Sequence, residues 1–213
     1  MSNELLKRIF TSILLTSLSI FFIINEKILF KFFLALIFIV SIYEWRNLNK
    51  SGIPFIIGLI FLTISIFSAF FLRVNDFSFF IFIIFISAFS DIGGFVFGKI
   101  FKGPKLTKIS PNKTYSGVLG CFIFSISFGF FFILYLDQFF QNRWQFNFFE
   151  TFILIVIVSF INQLGDLIIS YFKRLNNVKN TGNILPGHGG LLDRIDGIIF
   201  TIPCSYLINI LYI

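Results

Sequence analysis

Seven runs of mostly apolar residues divide this chain, and they limit its possible folds more than any other feature. The runs lie at about 9–25, 28–46, 53–72, 77–98, 116–136, 149–172 and 196–213. Each run approaches the ~20 residues that an α-helix, rising about 1.5 Å per residue, needs to cross ~30 Å of hydrocarbon. With 57% hydrophobic residues, the sequence predicts an all-α, polytopic integral membrane protein of about seven transmembrane helices. We expect residues 1–213 to form a single transmembrane domain.

The positions of the cysteines and the sequence of the N-terminus argue against a disulfide or zinc framework and against a cleaved signal peptide. Cys121 and Cys204 both lie inside apolar runs, far from any metal-ligand spacing, so we expect neither a disulfide framework nor a zinc site. Lys7 and Arg8 precede an apolar run that has no small-residue cleavage site and is followed at once by further runs. We therefore interpret the first run as an uncleaved helix rather than a signal peptide.

The basic residues are unevenly distributed between the connections. Thirteen of the seventeen Lys and Arg fall in the N-terminus and the second, fourth and sixth connections, whereas the other side holds Lys27, Lys31, Arg73 and Arg143. Because Lys and Arg concentrate in cytoplasmic loops, the N-terminus is predicted to be cytoplasmic. The two longest charged connections, at about 99–115 and 173–195, are then on the same side, and we expect them to build one site.

Polar residues concentrate between Gly165 and Asp196. This stretch holds three aspartates, which are Asp166, Asp193 and Asp196, and the only histidine of the chain. A charged side chain costs roughly 2.5–3.5 kcal/mol at the centre of a membrane helix. Carboxylates are ligands that Mg²⁺ takes alongside water and substrate phosphates. We interpret the stretch as a phosphate-handling, divalent-metal site at a membrane face.

The end of the sixth run places four polar side chains on one stripe of a helix, at Asp166, Ser170, Lys173 and Arg174. In one interpretation, Asp166 binds a metal and the two cations bind the phosphates that the metal bridges. In the other, Asp166 forms a simple ion pair with Lys173 or Arg174. Asp193 and Asp196 are three residues apart and are predicted to share a face at the start of the last helix. There the helix dipole favours their ionised forms.

The glycines around His188 favour an anion site. Gly187, Gly189 and Gly190 permit backbone conformations in which successive N–H groups point into a concavity. No Gly-Lys-Ser/Thr follows at the spacing of a Walker loop. We interpret His188 as a donor to phosphate, and the roles of general base and of plain loop residue remain open.

Acidic residues in two earlier runs receive different interpretations. Asp91, Gly94 and Gly98 fall on one helical face, so a neighbouring helix or a ligand can approach the acid closely. The alternative is an interfacial Asp91 paired with Lys99. Glu44, at the end of the second run, is interpreted as solvated at the headgroup level.

The connection between the fourth and fifth runs is basic and irregular. Five lysines lie within 99–115, together with Pro104 and Pro111. The cluster Ser110-Pro111-Asn112-Lys113-Thr114 suits phosphate or ribose contacts. On chemistry alone, lysines that merely follow the positive-inside rule explain the charge equally well.

These segments together resemble a known family. Ser170-Tyr-Phe-Lys173-Arg174, then Lys179, then Leu185-Pro-Gly-His188-Gly-Gly-Leu-Leu-Asp193-Arg194-Ile-Asp196 resembles the signature of the phosphatidate cytidylyltransferases, the CDP-diacylglycerol synthases. Asp91 with its glycines and the run from Ser110 to Thr114 resemble the family's earlier segment. The likeness covers about 88–197, with catalytic segments at about 88–120 and 160–200.

The resemblance implies a reaction in which CTP and phosphatidate give CDP-diacylglycerol and pyrophosphate, with Mg²⁺ and a possible second cation. It implies a bacterial inner-membrane enzyme of phospholipid biosynthesis with its site facing the cytoplasm, and a possible homodimer, without nucleic acid. Asp166, Asp193 and Asp196 are implied to hold the metal and, with Lys173 and Arg174, to form the catalytic set. The implied substrate-binding residues are Asp91, Ser110, Asn112, Lys113, Thr114, Ser170, Lys179, His188, Gly189, Gly190 and Arg194.

Two positions depart from the family pattern. Asn180 stands where the signature has Asp, and Ser116 stands where the earlier segment usually has Glu. Each change removes a carboxylate. The missing carboxylates keep an inactive or transport membrane protein as one alternative, and a CTP-dependent lipid kinase of related architecture is the other.

Overall fold

The computed structural model describes residues 3–25, 27–49, 52–107, 109–140 and 146–212, without the side chains of 3–9, 140 and 212. Its helices are α1 (Asn3–Ile24), α2 (Lys27–Leu48), α3 (Ile53–Asn75), α4 (Phe77–Phe101), α5 (Tyr115–Phe131), α6 (Phe148–Leu175), α7 (Leu192–Ile195) and α8 (Ile198–Tyr212). A π-turn at Phe132–Leu136 and a 3₁₀ turn at Asp137–Phe140 follow α5. Over these ranges, extended pairing is limited to isolated bridges, and the all-α prediction is confirmed.

Side-chain caps fix the beginnings of three long helices. The Asp76 carboxylate accepts the Phe79 N–H at 2.9 Å at the start of α4, and the Thr114 hydroxyl accepts the Gly117 N–H at 3.1 Å at the start of α5. Before α6, Asn147 and Glu150 exchange two bonds of 2.9 Å, each side chain accepting the other's N–H. These bonds satisfy donors that a helix leaves unpaired at its start.

Five helices are long and apolar enough to span a membrane: Lys27–Leu48, Ile53–Asn75, Phe77–Phe101, Tyr115–Phe139 and Phe148–Leu175. Large apolar side chains point outward from them, as with Phe148, which is 75% exposed. Such exposure suits a lipid environment, so the chain is a membrane protein. The first and seventh predicted spans appear as the shorter apolar helices Phe10–Ile24 and Ile198–Leu211.

One compact unit comprises Met1–Phe70 and Phe172–Ile195. Phe22 of α1 stacks on Phe33 of α2 with ring centroids 5.1 Å apart. Trp45 of α2 packs edge-on against Phe172 and also covers Gly58 of α3, where an added Cβ would lie 2.0 Å from the indole nitrogen. Only glycine therefore permits this approach of α3 to the Trp45 ring.

The other compact unit comprises Phe71–Tyr171 and Asp196–Ile213. Its core includes Phe82, Ile83 and Ile86 of α4, all fully buried. Buried hydroxyls link α4 to two other helices, Ser90 to Ser159 of α6 at 3.0 Å and Ser87 to Thr201 of α8 at 3.3 Å. Such short polar links are typical of packed membrane helices. The prediction of one domain over 1–213 stays a prediction.

The start of the last helix differs from the sequence prediction. Asp193 lies in the one-turn helix α7, which ends at Ile195, and Asp196 lies in a turn before α8 begins at Ile198. The two aspartates therefore do not open one continuous helix. The Asp196 carboxylate accepts the Gly197 N–H at 3.0 Å, a local bond that competes with helix continuation.

Some basic residues used for the orientation prediction lie outside the described residues. These are Lys50, Lys108 and Arg143, together with the side chains of Lys7 and Arg8. The cytoplasmic N-terminus therefore stays a prediction.

Candidate functional site

A cavity of about 290 Å³ brings together six of the predicted site residues. They are Asp91, Ser110, Asn112, Lys113, Thr114 and Asp166. Gly94, Phe95, Gly117, Val118, Cys121 and Gln163 complete the lining. The cavity thus joins the acid of α4, the polar cluster of the 102–114 loop and the acid of α6. The sequence predicted these groups as parts of one site, and the structure brings them together in one cavity.

Glycines let α4 and α5 approach each other beside this cavity. An added Cβ at Gly94 would lie 2.6 Å from Cys121 Sγ, and one at Gly117 would lie 3.0 Å from the Gly94 carbonyl oxygen. Gly98 faces the Thr114 hydroxyl at 3.2 Å by the same measure. The predicted close approach on the face of Asp91, Gly94 and Gly98 is therefore confirmed, and the neighbouring element is α5.

The loop between α4 and α5 folds back on itself. It begins with positive φ angles at Lys102 (53°) and Gly103 (101°), which reverse the chain after α4. The Leu106 N–H then donates to the Lys113 carbonyl at 2.8 Å, and Lys105 pairs with Thr114 in an isolated antiparallel bridge. This pairing carries the segment 110–114 to the cavity wall.

Hydroxyl groups of two residues close the base of this loop. The Thr114 hydroxyl caps α5 and contacts the Ser116 hydroxyl at 3.0 Å, and Ser116 in turn donates to the Lys102 carbonyl. Ser116, which replaces a glutamate of the family pattern, thus closes the loop through its hydroxyl.

Lys113 and Asp166 form an ion pair in the cavity. Lys113 Nζ lies 2.6 Å from Asp166 Oδ2 and 3.5 Å from the Gln163 carbonyl oxygen. The Ser170 hydroxyl donates to Asp166 Oδ1 at 3.1 Å. Lys113 is thus a partner of Asp166 that the spacing along α6 did not indicate, and the alternative pair with Lys173 or Arg174 stays a prediction. The Lys113 ammonium can attract an anion, and the Asp166 carboxylate can bind a cation that accompanies it.

Asp91 is held by a residue that the sequence did not single out. The Asn162 amide, 1% exposed, donates to Asp91 Oδ1 at 2.7 Å and to the Ser87 carbonyl at 3.4 Å. Lys99 lies instead over the Phe95 ring, 5.6 Å from its centroid, so the alternative Asp91–Lys99 pair is wrong. In the sequence, the only indication of this role was that Asn162 carries an amide four residues before Asp166 on an otherwise apolar helix.

Asp166 and Asp196 form a carboxylate pair. The Asp196 side chain interacts electrostatically with that of Asp166, and the backbone closes around them at Gly165, where a Cβ would lie 2.7 Å from the Asp196 carbonyl oxygen. Neighbouring carboxylates repel each other when both are ionised, and a bound proton or cation relieves that repulsion. Their hard oxygen donors fit Mg²⁺. Across the part of the chain that the structure describes, no three Asp, Glu, His or Cys side chains form a complete metal cage.

In the compact unit of Met1–Phe70 and Phe172–Ile195, Asp193 has three partners. Its Oδ1 accepts from Lys173 Nζ at 2.7 Å, and its Oδ2 accepts from the Thr181 N–H at 2.8 Å and the Gly190 N–H at 3.1 Å. The Lys173 side chain is 11% exposed and that of Asp193 is 8% exposed. The segment from Thr181 to Gly190 therefore folds around Asp193.

Glu44 is part of the same cluster, so its interpretation as a solvated headgroup residue is wrong. Its side chain is fully buried, and its carboxylate accepts from the N–H groups of Leu191 and Leu192 and from the Thr181 hydroxyl, at 2.8 to 3.0 Å. A lone acid after an apolar run looks the same in sequence whether water or a loop surrounds it.

The other predicted phosphate contacts take several positions. His188 Nδ1 lies 2.7 Å from the Thr11 hydroxyl, and Nε2 lies 3.0 Å from the Ser12 hydroxyl, so α1 fixes both ring nitrogens. Arg194 donates to the His188 carbonyl at 3.0 Å. Arg174 donates to the Val178 carbonyl. Gly189 is buried and has a φ angle of +94°, and Lys179 is exposed.

Comparisons with known proteins show which family this chain is similar to. The model of the Cytidylyltransferase family matches residues 50–211. A phosphatidate cytidylyltransferase of Rickettsia felis is 36% identical over 96% of this chain and 92% of its own length, and that of Rickettsia typhi is 39% identical over 95% and 91%. That of Staphylococcus haemolyticus is 41% identical over 58% of this chain and 45% of its own.

Proposed function

The chain belongs to the Cytidylyltransferase family, and from this membership we propose that it transfers the cytidylyl group of CTP to phosphatidate. The products are CDP-diacylglycerol and pyrophosphate, so the enzyme is a nucleotidyltransferase of phospholipid biosynthesis. The observation that carries this proposal is the cavity in which Asp91, the 110–114 segment and Asp166 meet. A partly apolar cavity that holds one lysine, two aspartates and several hydroxyl and amide groups suits a lipid and an anionic substrate bound with a cation.

In the proposed reaction, an oxygen of the phosphatidate phosphate attacks the α-phosphorus of CTP. A new P–O bond forms to the lipid phosphate, and the bond between the α-phosphorus and the bridging oxygen of pyrophosphate breaks, with its electron pair leaving on pyrophosphate. The attacking oxygen is already ionised near neutral pH, so no general base is needed. Positioning and charge neutralisation then account for most of the rate.

Several basic side chains are proposed to neutralise this charge. Lys113 lies in the cavity 2.6 Å from Asp166, and its ammonium is placed to attract a phosphate oxygen. Ser110, Asn112 and Thr114 are proposed to bind the nucleotide through hydroxyl and amide groups, with Asn162 fixing Asp91 beside them. Phosphate contacts are further proposed for Ser170, Lys173, Arg174, Lys179, His188, Gly189, Gly190 and Arg194.

Asp166 and Asp196 are proposed to hold a Mg²⁺ ion, supported by the electrostatic interaction of their side chains and by their hard oxygen donors. When bound, such an ion neutralises triphosphate charge and orients the leaving group. Asp193 is the third predicted ligand. It binds Lys173 and two backbone amides, so its part in holding the ion, like that of a second cation, stays a prediction.

The setting of the enzyme is also proposed. Five long apolar helices and two shorter ones support a seven-span arrangement. The distribution of Lys and Arg supports a cytoplasmic N-terminus and a site that faces the cytoplasm, where CTP is available. Bacterial relatives support an inner-membrane location. A homodimer stays a family-level proposal.

The proposal is tested with purified protein in phosphatidate-containing mixed micelles. Addition of CTP and Mg²⁺ should release pyrophosphate, and ATP should release far less. Asp193→Asn should lower turnover by at least about a hundredfold, as expected for loss of an electrostatic stabiliser. Equal release with CTP and ATP, or near-normal turnover of Asp193→Asn, contradicts the proposal.

A further inference from the structure

The carboxylate of Glu44 is enclosed by the segment 181–192. Oε1 accepts the Leu191 N–H at 2.9 Å, and Oε2 accepts the Leu192 N–H at 2.8 Å and the Thr181 hydroxyl at 3.0 Å. An added Cβ at Gly190 would lie 2.6 Å from Oε2. The side chain is 0% exposed. A buried carboxylate needs such donors, because desolvating it without partners is very costly.

We propose that Glu44 is a positioning residue that fixes the 181–193 segment and thereby tunes the affinity for CTP. This inference rests on the proposed function, in which that segment supplies phosphate contacts, and it assigns those contacts to the triphosphate of CTP. Glu44 itself is fully enclosed, so it acts through other residues rather than on the substrate.

Two routes connect Glu44 to Asp193. The first is α7, because the Leu191 and Leu192 N–H groups that Glu44 binds come immediately before Asp193 in the chain. The second is Thr181, whose hydroxyl binds Glu44 while its N–H donates to Asp193 Oδ2 at 2.8 Å. Both routes place the backbone that surrounds the Asp193 carboxylate. Loss of Glu44 should therefore loosen the aspartate and the glycines beside it.

A carboxylate is required because the donors approach both oxygens. Glutamine keeps the shape of the side chain but turns one oxygen into an NH₂ group. In one amide orientation the NH₂ faces the Leu191 N–H, and in the other it faces the Leu192 N–H. Either orientation leaves one buried N–H without an acceptor. Glu44→Gln is thus a minimal change that disrupts this contact alone.

Thr181 supplies a matched pair of variants with a smaller change. Thr181→Ser keeps the hydroxyl that donates to Glu44, and Thr181→Val removes it while keeping the side-chain volume. Both variants keep the backbone N–H that binds Asp193. A difference between them reports on the hydroxyl contact with Glu44.

The first measurement is amide hydrogen–deuterium exchange of the purified full-length protein, read in peptides that cover 185–195. The second is steady-state kinetics with CTP and phosphatidate varied separately. For Glu44→Gln we expect faster exchange in these peptides, a KM for CTP at least about tenfold higher, and a KM for phosphatidate within about twofold. Thr181→Val should change the same quantities by less, and Thr181→Ser should match the unsubstituted protein.

A merely structural role gives a different result. It lowers the amount of active enzyme, and so the apparent kcat, without changing the KM for CTP. Unchanged exchange in folded Glu44→Gln, an unchanged KM for CTP, or equal behaviour of Thr181→Ser and Thr181→Val overturns the inference. If Glu44→Gln does not fold, the Thr181 pair decides. If the unsubstituted protein releases no pyrophosphate, the proposed function fails, and the exchange data still decide whether Glu44 orders the segment.

Discussion

Replacing Lys113 by methionine should separate the chemical role of this side chain from its contribution to stability. Methionine keeps an unbranched apolar stem and removes the ammonium that lies 2.6 Å from Asp166. We expect turnover to fall at least about a hundredfold, because removing one electrostatic stabiliser of a transition state costs about 10²–10³ in kcat. The folded state should be almost unaffected.

The small effect on stability follows from exposure. The side chains of Lys113 and Asp166 are 23% and 32% exposed, so water solvates both partners in the cavity. Ion pairs that water reaches contribute about 0.2–1 kcal/mol. The free energy of unfolding should therefore change by less than about 1 kcal/mol, whereas the activation free energy should rise by about 2.7–4 kcal/mol. The difference between these two magnitudes is the prediction.

Pyrophosphate release and thermal unfolding, measured on the same purified sample, supply the two numbers. Lys27→Met is the matched control, because Lys27 is exposed at the start of α2 and makes the same change of charge. Its turnover should stay within about twofold. A Lys113→Met enzyme with near-normal kcat, or one that loses activity only in proportion to its unfolding, refutes the reasoning.

Three further predictions address packing, orientation and the metal. Gly94→Ala should destabilise the protein by about 1–3 kcal/mol through its clash with Cys121 Sγ, and an added Cys121→Ala should relieve that clash. Gly93→Ala meets a backbone oxygen instead, so Cys121→Ala should not rescue it. Equal rescue of both variants in thermal unfolding would be inconsistent with the packing. Asn162→Leu should destabilise by about 1 kcal/mol and lower turnover, because Asp91 loses its donor at 2.7 Å; unchanged melting and kinetics would exclude that role. Chelation by EDTA should abolish pyrophosphate release and added Mg²⁺ should restore it, so activity that persists in EDTA contradicts the proposed ion.

The sequence predicted the helices because membrane physics leaves few alternatives. A run of about twenty apolar residues in lipid satisfies its backbone only as a helix or a closed barrel, and the runs lacked the alternation of barrel strands. The glycine spacing after Asp91 correctly indicated a close helix contact. The 110–114 segment and Asp166 were chosen for their chemistry, and both line the cavity.

What the sequence could not supply was the pairing of side chains from distant segments. Lys113 and Asp166 are 53 positions apart, and local spacing offered only Lys173 or Arg174 as alternative partners. Glu44 is a clearer case, since its three donors come from a loop more than 130 residues later. The break before α8 was missed because Asp-Arg-Ile-Asp-Gly contains no proline, and the Asp196 carboxylate ends the turn by binding its neighbour's N–H.

The most direct test of cytidylyl transfer follows labelled phosphate from CTP into lipid. Purified protein is given phosphatidate, a lipid alcohol, Mg²⁺ and CTP labelled at either the α- or the γ-phosphorus, and the lipid is extracted. The account predicts that the α-label enters the lipid and the γ-label leaves as pyrophosphate. Lipid that carries the γ-label indicates a kinase, and lipid that carries neither label indicates an inactive or transport protein; either result contradicts the account.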